Sequence, residues 1–361
     1  MSFAFDREAE EALLNKPVIY RIAELVTNEA KSFYSNRHYN GRPYRLRIRW
    51  FNSNNFRAAA YVLGNGDHEI RLTHGTAYEI YRDAFVLPEI CNRILNKKEF
   101  DLIFNLVSYG NKREDVLPAG LSALDAKVEI IRLMTTWLYL HEQAHHLQRH
   151  RDIAIEEGIP ELLSNDDGIV DTVNEDKRPK GRAAAMRHAF EFAADYEAIT
   201  LLMLRETTHE MSESTIWCLA AGLMCMFQRF YDESPSEMKD FAEGSHPHPA
   251  VRMRMMINKV TELLIMPDVV SAKRWTMGSR HARAIMDHAV YTADAYWHLR
   301  YLGLKADSPV LESMVSRRGV SPSYQEEIFQ AWQSVRPAIV KGHLGYGEPV
   351  VMFLKGSKAV G

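Results

Sequence analysis

The chain is poor in cysteine and lacks the patterns of a secreted or membrane protein. Its 361 residues include only Cys91, Cys218 and Cys225, which form no CxxC pair and are too few for a disulfide framework. The first residues are acidic, and no basic segment precedes an apolar run, so no signal peptide is predicted. The longest apolar stretch, 216–227, is too short to cross a bilayer. We therefore expect a cytoplasmic protein without a membrane partner.

A strong net charge, an internal repeat and a low-complexity segment are also missing. Lys and Arg total 44 and Asp and Glu total 47, which gives a formal net charge of −3. A sum near zero neither indicates nor excludes a nucleic-acid partner, because local patches decide that question. The apolar fraction of 46% is typical of a globular protein with a real core, which excludes a disordered chain.

The apolar spacing predicts a predominantly helical α+β fold with a small N-terminal sheet. Strict alternation of arginine and apolar residues over 45–50 predicts one strand, and a turn at 64–67 joins two more, over 56–63 and 68–72. Helices are predicted over 124–150, 183–204, 214–231, 250–264 and 283–302. The segment 156–180 between the first two helices is predicted as a long loop, and 349–354 as an edge strand.

A metal-binding pattern, H-E-x-x-H, lies on the first long helix. A spacing of four places His141 and His145 on one face, one turn apart, where both imidazoles can bind a single Zn²⁺. Glu142 beside them can accept a proton from an attacking water. The pattern alone also fits a surface helix that merely exposes polar residues.

The second long helix offers the third ligand that a zinc site needs. The metzincin arrangement is excluded, because Gln148 and Arg151 stand where it requires glycine and histidine. Glu191 and Asp195 share a helix face with small residues between them, so Glu191 suits the third ligand and Asp195 an acceptor that orients a ligand imidazole. The alternative for this pair is an ordinary solvated acidic face.

Taken together, these motifs and a later His-Pro followed by an arginine resemble the gluzincin group of metallopeptidases. The pattern is similar to the HtpX and prenyl-protein (CAAX) proteases and closer to the soluble phage-exclusion peptidases of the Lit type. The resemblance covers roughly residues 55–260. The matching residues are His141, Glu142, His145, Glu191, Ala194, Asp195, His246, Pro247 and Arg254, with Arg252 as the alternative arginine.

The resemblance implies a zincin-like core over 1–260 and specific roles within it. His141, His145 and Glu191 would bind zinc, Glu142 would act as general base and then general acid, and His246 and Arg254 would lie near the transition-state oxyanion. The strand 68–72 would be the edge strand that pairs with a peptide substrate. A second His-Pro, at 248–249, leaves open which histidine faces the metal. Residues 261–361 would form a helical regulatory or sensor extension.

A basic, aromatic stretch over 31–57 contains no acidic residue. Arginines for phosphates and rings for bases are typical of a single-stranded nucleic-acid platform, and a second basic cluster over 273–283 fits the same surface. The alternative is a twisted strand whose arginines, Arg45, Arg47 and Arg49, simply face water. Single-stranded DNA is therefore a candidate activator.

Cys91 is a candidate inhibitory fourth ligand, in the manner of a cysteine switch, although a buried core thiol is the more common arrangement.

The sequence hypothesis is a regulated cytoplasmic zinc metalloendopeptidase of bacterial anti-phage defence or stress signalling. Its substrate would be one specific protein, such as a transcriptional repressor or a translation factor. An alternative is a nucleic-acid-binding sensor with a structural, non-catalytic zinc. A third hypothesis, an enzyme that hydrolyses a non-peptide amide with the same zinc, is not distinguished by sequence.

Overall fold

The computed structural model describes residues 16–35, 45–64, 66–96, 98, 116–159, 179–230, 240–302 and 321–345. This part of the chain is predominantly helical with one small sheet, which confirms the α+β prediction at that level. The strands are β1 (Leu46–Phe51), β2 (Ala58–Val62) and β3 (His68–Thr73). The helices are α1 (Lys16–Ser35), α2 (His74–Ile90), α3 (Ala123–Leu147), α4 (His150–Glu156), α5 (Gly181–Glu206), α6 (Glu213–Phe230), α7 (Pro249–Leu264), α8 (Pro267–Ser271), α9 (Gly278–Trp297) and α10 (Pro322–Gly342). Short π-helical segments, Cys91–Leu95 and His298–Leu302, follow α2 and α9.

The predicted helices are confirmed to within a few residues at most ends. The helix predicted over 124–150 is wrong at its C-terminal end, because α3 stops at Leu147 and α4 starts at His150. Arg149 between them has φ 56° and ψ 39°, a left-handed conformation that ends one helix and redirects the chain. Most of the loop predicted over 156–180 and the strand predicted over 349–354 lie outside the described residues.

The sheet has the order β1-β3-β2, so β3 lies at its centre. β1 pairs with β3 in parallel and β2 pairs with it antiparallel, which places Ile48 and Ala60 on either side of Ile70. The expectation that the strand 68–72 is an edge strand open to a substrate is therefore wrong. Both edges of β3 are paired, because β1, which precedes β2 in the chain, occupies the edge that β2 leaves open. In the sheet as described, the outer edges belong to β1 and β2.

The predicted β2–β3 hairpin is confirmed, and glycine has a structural role on both sides of β3. The amide of Leu63 donates to the carbonyl of Asp67 at 2.8 Å, and Gly66 in the turn has φ +80°, which favours glycine. Gly75, just after β3, lies so close to the backbone carbonyl of Asn54 that an added Cβ would collide with it. This close approach fixes the start of α2 against the loop before β2.

Helices α3 and α5 pack against each other and carry the predicted chemical groups. Ser122 caps α3 by accepting a hydrogen bond from the amide of Asp125 at 3.1 Å. Ala144 on α3 and Ala193 and Ala194 on α5 are small and fully buried, and Gln148 at the end of α3 donates to the backbone carbonyl of Ala193 at 3.0 Å. Small side chains let the two backbones approach, so polar groups on either helix can meet in the interface.

The C-terminal helices belong to the same packing as the rest of the molecule. Trp275 and Tyr296 lie in one buried cluster with Trp137 of α3, and Trp332 of α10 lies in a second cluster with Phe190 of α5. The boundary predicted at residue 260 falls inside α7. Thus α9 and α10 are built onto the helices that carry the site.

Across the described ranges, none of the helices combines the length and apolarity that a bilayer-spanning segment requires.

Candidate metal centre

Three predicted ligands come together between α3 and α5. The Nε2 atoms of His141 and His145 lie 3.2 Å apart. Glu191 Oε2 lies 3.4 Å from His141 Nε2, and Glu191 Oε1 lies 3.6 Å from His145 Nε2. One ligand atom from each residue falls within 4.8 Å of the others, so a single ion could contact all three. The four-residue spacing on α3 produces the histidine pair, and the close α3–α5 packing delivers the carboxylate.

The chemistry of this donor set fits zinc. Two imidazole nitrogens and one carboxylate oxygen are a ligand combination of catalytic zinc sites, which leave a fourth position for water or substrate. Glu191 Oε2 is buried and completes no hydrogen bond within the described structure, although His141 Nε2 and Arg252 Nη2 each lie 3.4 Å away, so this oxygen still has the capacity to bind a cation. His145 is 19% exposed at its side chain, which leaves one side of the cluster accessible.

Asp195 and Arg252 lie behind His141. Asp195 Oδ1 is 3.0 Å from His141 Nδ1, although the ring is turned so that its N–H does not point straight at this oxygen. Arg252 holds the carboxylate of Asp195 through two hydrogen bonds, Nε to Oδ2 at 2.8 Å and Nη2 to Oδ1 at 2.7 Å. This is the position that the sequence predicted for Asp195. Orientation of a ligand histidine by a fixed carboxylate is a common feature of zinc sites.

Arg252, and not Arg254, is the arginine of the site. Arg252 is 1% exposed, and its Nη2 lies 3.4 Å from Glu191 Oε2, whereas Arg254 is exposed and acts electrostatically on Asp287. The prediction for Arg254 is therefore wrong. Two positions apart on a helix differ by about 200° in direction, so only one of these arginines can face α5.

His246 faces the centre, while His248 has a structural role. His246 Nε2 lies 3.8 Å from Glu191 Oε2, and its ring stacks on Phe230 with centroids 5.8 Å apart. The amide of Ala250 donates to His248 Nδ1 at 3.2 Å, which caps the start of α7. The structure thus answers which of the two His-Pro histidines is near the ligands.

Glu142 is buried beside the ligands. Burial raises its pKa to about 7, and Glu191 adds to the effect while His141 and Arg252 oppose it. A carboxyl group whose pKa is near neutral can both accept and release a proton at physiological pH. This property matches the general-base and general-acid role predicted for Glu142.

The two candidate ligand histidines, His141 and His145, differ in their affinity for protons. Burial alone would lower the pKa of His141, but Asp195 and Glu191 outweigh it and raise the pKa to about 10. Burial lowers the pKa of His145 to about 4. Despite its burial, Glu191 has a pKa well below its usual range, because His246, His141 and His145 favour its charged form. The cluster therefore holds a carboxylate that is ready to bind a cation.

Four residues to which the sequence analysis assigned no role in the site extend it away from His145. They are His150, Gln148, Glu197 and His343. Both His150 and His343 follow the end of a helix, where helical spacing gives no guide to their position. The density of histidine over 141–150 was the only available signal.

Cys91 does not take part in the centre. It is fully buried in the main apolar cluster, at the start of a π-helical segment. Burial raises the pKa of its thiol, with Cys218 adding to the effect. The group of described residues that could hold a metal ion, His141, His145 and Glu191, does not include it. The expectation of an inhibitory fourth ligand is therefore wrong, since an apolar core stabilises the neutral thiol.

The basic stretch is described only in part, because 36–44 lie outside the described residues. In β1, Arg47 and Arg49 are exposed, as the alternation predicts. Arg47 pairs with Asp67 at 3.0 Å, and the guanidinium of Arg49 lies 4.7 Å from the ring centroid of Phe51. In the second basic cluster Trp275 is only 2% exposed, so its ring belongs to the core.

The chain was also compared with known proteins. No protein-family model matches it, and no curated protein or solved structure does so either. The resemblance to gluzincin peptidases therefore rests on the residues and distances given above.

Proposed function

We propose that the protein is a zinc metalloendopeptidase of the gluzincin type with a zincin-like core. The observation that carries the proposal is the convergence of His141, His145 and Glu191, with Glu142 buried beside them. The buried ion pair between Asp195 and Arg252, which lies behind His141, strengthens the proposal. An ordinary solvated acidic helix face, the alternative for Glu191 and Asp195, would not require a buried arginine partner.

A zinc ion held by these ligands would supply Lewis acidity to a substrate carbonyl. Glu142 accepts a proton from the attacking water and later delivers it to the leaving nitrogen. The pKa of about 7 supports both steps, because neither protonation state is strongly disfavoured near neutral pH. Its buried position excludes bulk water from the proton transfer.

His246 and Arg252 divide the roles that the resemblance assigned to a histidine and an arginine. The side chain of His246 is 30% exposed, so it can reach the oxygen of a substrate that approaches the ligands. Arg252 is enclosed and already bonded to Asp195. We assign the stabilisation of the developing oxyanion to His246 and the positioning of Asp195 to Arg252.

The biological setting in this proposal comes from the resemblance. The substrate would be one protein of the same cell, such as a transcriptional repressor or a translation factor, cleaved during anti-phage defence or stress signalling. Single-stranded DNA is the proposed activator, because Arg47 and Arg49 are exposed on β1 and could contact phosphates. Loss of oligonucleotide binding in the triple variant Arg45→Ala, Arg47→Ala, Arg49→Ala would support it; unchanged binding, or no binding by wild type, would refute it.

A sensor with a structural zinc is the second candidate, and the same two arginines favour it. Glu142→Gln distinguishes the candidates because it keeps the shape of the side chain and removes the base. The peptidase proposal predicts that new protein N-termini appear in cells that produce the wild type and are absent with Glu142→Gln, while bound zinc is unchanged. A structural zinc predicts no difference between the two sets of cells.

A further inference from the structure

A row of hydrogen bonds leads from the metal centre to the C-terminal part of the chain. His145 Nδ1 lies 2.8 Å from His150 Nδ1, and His150 Nε2 lies 2.9 Å from Gln148 Oε1. Gln148 Nε2 donates to Glu197 Oε2 at 2.7 Å, and His343 Nε2 lies 3.2 Å from the same oxygen. His150, Gln148, Glu197 and His343 are all buried.

The direction of these hydrogen bonds is fixed at Gln148. Its Nε2 group also donates to the backbone carbonyl of Ala193, at 3.0 Å. A carbonyl and a carboxylate can only accept, so the amide nitrogen must face Ala193 and Glu197. The amide oxygen must then face His150, where it can only accept a hydrogen bond. No rotation of the amide satisfies the three neighbours in another way.

This orientation determines the protonation of both histidines. Among the described residues the ring nitrogens of His150 bond only to His145 and Gln148, and no carboxylate bonds to this buried ring to offset a positive charge, so its neutral form is favoured. A neutral His150 that donates from Nε2 has a lone pair on Nδ1. His145 must therefore carry its proton on Nδ1 and donate it to His150. The Nε2 of His145, which faces His141 and Glu191, is left with its lone pair.

We infer that Gln148 is a positioning residue that imposes the metal-binding tautomer on His145 through His150. The inference rests on the proposed metal centre and adds to it a device that prepares one ligand before a metal arrives. A histidine binds a metal through an unprotonated nitrogen, and the hydrogen bond of its other nitrogen selects which one that is. Asp195 lies beside Nδ1 of His141, and the hydrogen bonds that start at Gln148 orient His145.

The backbone around His150 holds it where this function requires. The left-handed Arg149 turns the chain after α3, so His150 returns to His145 across a spacing that a continuous helix would not allow. The ring of His150 stacks on Phe190, with centroids 4.3 Å apart and an angle of 18° between the planes. Its plane is thereby fixed, and its two nitrogens face His145 and Gln148.

The C-terminal part of the chain completes the far end of the row. His343 follows α10 and contacts Glu197, and the amide of the next residue, Leu344, donates to the carbonyl of Leu147 at 2.8 Å. This second bond satisfies one of the last carbonyls of α3, directly after the ligand histidines. The described residues 321–345 thus support the alignment of His145 and do more than cover the core.

The test uses the full-length, metal-free protein with ¹⁵N-labelled histidine. Long-range ¹H–¹⁵N correlations report which nitrogen of His145 carries the proton, and zinc affinity is measured by competition with a chromogenic chelator. The variant is Gln148→Leu. The matched control is Gln228→Leu, which removes another buried glutamine that bonds to Asp294 at 3.2 Å, outside the row.

In the wild type and in Gln228→Leu, His145 is expected to carry its proton on Nδ1. In Gln148→Leu, His150 loses its fixed acceptor, so His145 should populate the Nε2-protonated tautomer, and its zinc affinity should fall by about 10- to 100-fold. An unchanged tautomer and affinity in Gln148→Leu would overturn the inference.

A second pair of variants covers the case in which Gln148→Leu does not fold. In His150→Asn the amide oxygen can replace Nδ1 as an acceptor, whereas His150→Phe keeps the stack on Phe190 and offers no acceptor. The inference predicts that Asn preserves the tautomer of His145 and Phe does not. Equal behaviour of the two variants would show that His150 acts only through packing, which contradicts the inference.

These outcomes separate the inference from the proposed function. If the wild type binds no zinc, the proposed metal centre is wrong. The tautomer measurement in the metal-free protein still tests whether Gln148 and His150 set the protonation of His145. A wild type that binds zinc, together with a Gln148→Leu variant that binds it equally well, overturns the row alone.

Discussion

Substitution of Arg252 by methionine should destabilise the protein strongly, because it leaves a buried charge without its main partner. Arg252 is 1% exposed and Asp195 is fully buried, and two hydrogen bonds of 2.8 and 2.7 Å join them. Removal of one member of a buried pair typically costs about 3–5 kcal/mol. Methionine keeps much of the apolar stem that packs near Phe227, where the guanidinium lies 4.3 Å from the ring centroid. Loss of packing should therefore contribute little.

The lower end of that range is expected, since Asp195 retains a second neighbour. His141 Nδ1 lies 3.0 Å away, and the raised pKa of His141 means that it can carry a positive charge. We therefore expect Arg252→Met to lower the free energy of unfolding by about 3 kcal/mol. The assay is urea denaturation followed by circular dichroism, at a pH where the wild type is folded.

Arg254→Met provides the matched control on the same helix. Arg254 is exposed, so its substitution should change the free energy of unfolding by about 0.5 kcal/mol or less. In the double variant Asp195→Asn, Arg252→Met the charge of Asp195 is removed together with its partner, so part of the lost stability should return. Equal stabilities of Arg252→Met and Arg254→Met, or no recovery in the double variant, would refute the reasoning.

Three further predictions concern catalysis, pH and the backbone. Glu142→Gln should abolish cleavage with zinc content unchanged, as measured by N-terminal proteomics and metal analysis; retained cleavage would exclude Glu142 as the base. Glu197 raises the pKa of His343 against the effect of burial, so this pair stabilises the fold fully below the unfolded pKa of about 6.5 and less as pH rises through the folded value. The stability advantage of wild type over His343→Gln in urea should therefore shrink with rising pH, and a growing advantage would contradict it. Gly75→Ala should lower the melting temperature, because its Cβ would collide with the carbonyl of Asn54, whereas an unchanged melting temperature would show that the loop yields freely.

Helices and ligand spacing were predictable because they depend on local periodicity. The spacing of four in His141 and His145 determines a shared helix face wherever the helix packs. Glu191 and Asp195 on the next long helix follow the same rule, which explains why one pairing of helices brings all four together. Local spacing therefore places each pair on one face of its own helix, and the packing of α3 against α5 brings the two faces together.

The choice of Arg252 as the arginine of the site could also have been predicted from the sequence. On α7, Arg252 shares its face with the buried Met256, whereas Arg254 is in line with the exposed Asn258 and Glu262. The helical period therefore separates the two arginines. The resemblance to gluzincins gave Arg254 with Arg252 as the alternative, and the amphipathic pattern of α7 favours Arg252.

The position of β3 and the row behind His145 were not predictable in this way. The alternation in β1 predicts a strand, but it does not say which strand it joins, because that pairing spans more than twenty positions along the chain. His150 reaches His145 only through the left-handed turn at Arg149, and His343 arrives from the far end of the chain. Such long-range contacts leave no periodic pattern in the sequence.

Zinc content per chain tests the central claim most directly. Wild type, Glu191→Ala and the control Glu210→Ala, which removes an exposed glutamate, would be purified, confirmed as folded and analysed for metal after reconstitution with zinc. The account predicts one zinc per chain in wild type and in Glu210→Ala and a clear loss in Glu191→Ala. A folded wild type without zinc, or a Glu191→Ala variant that binds zinc as the wild type does, would contradict it.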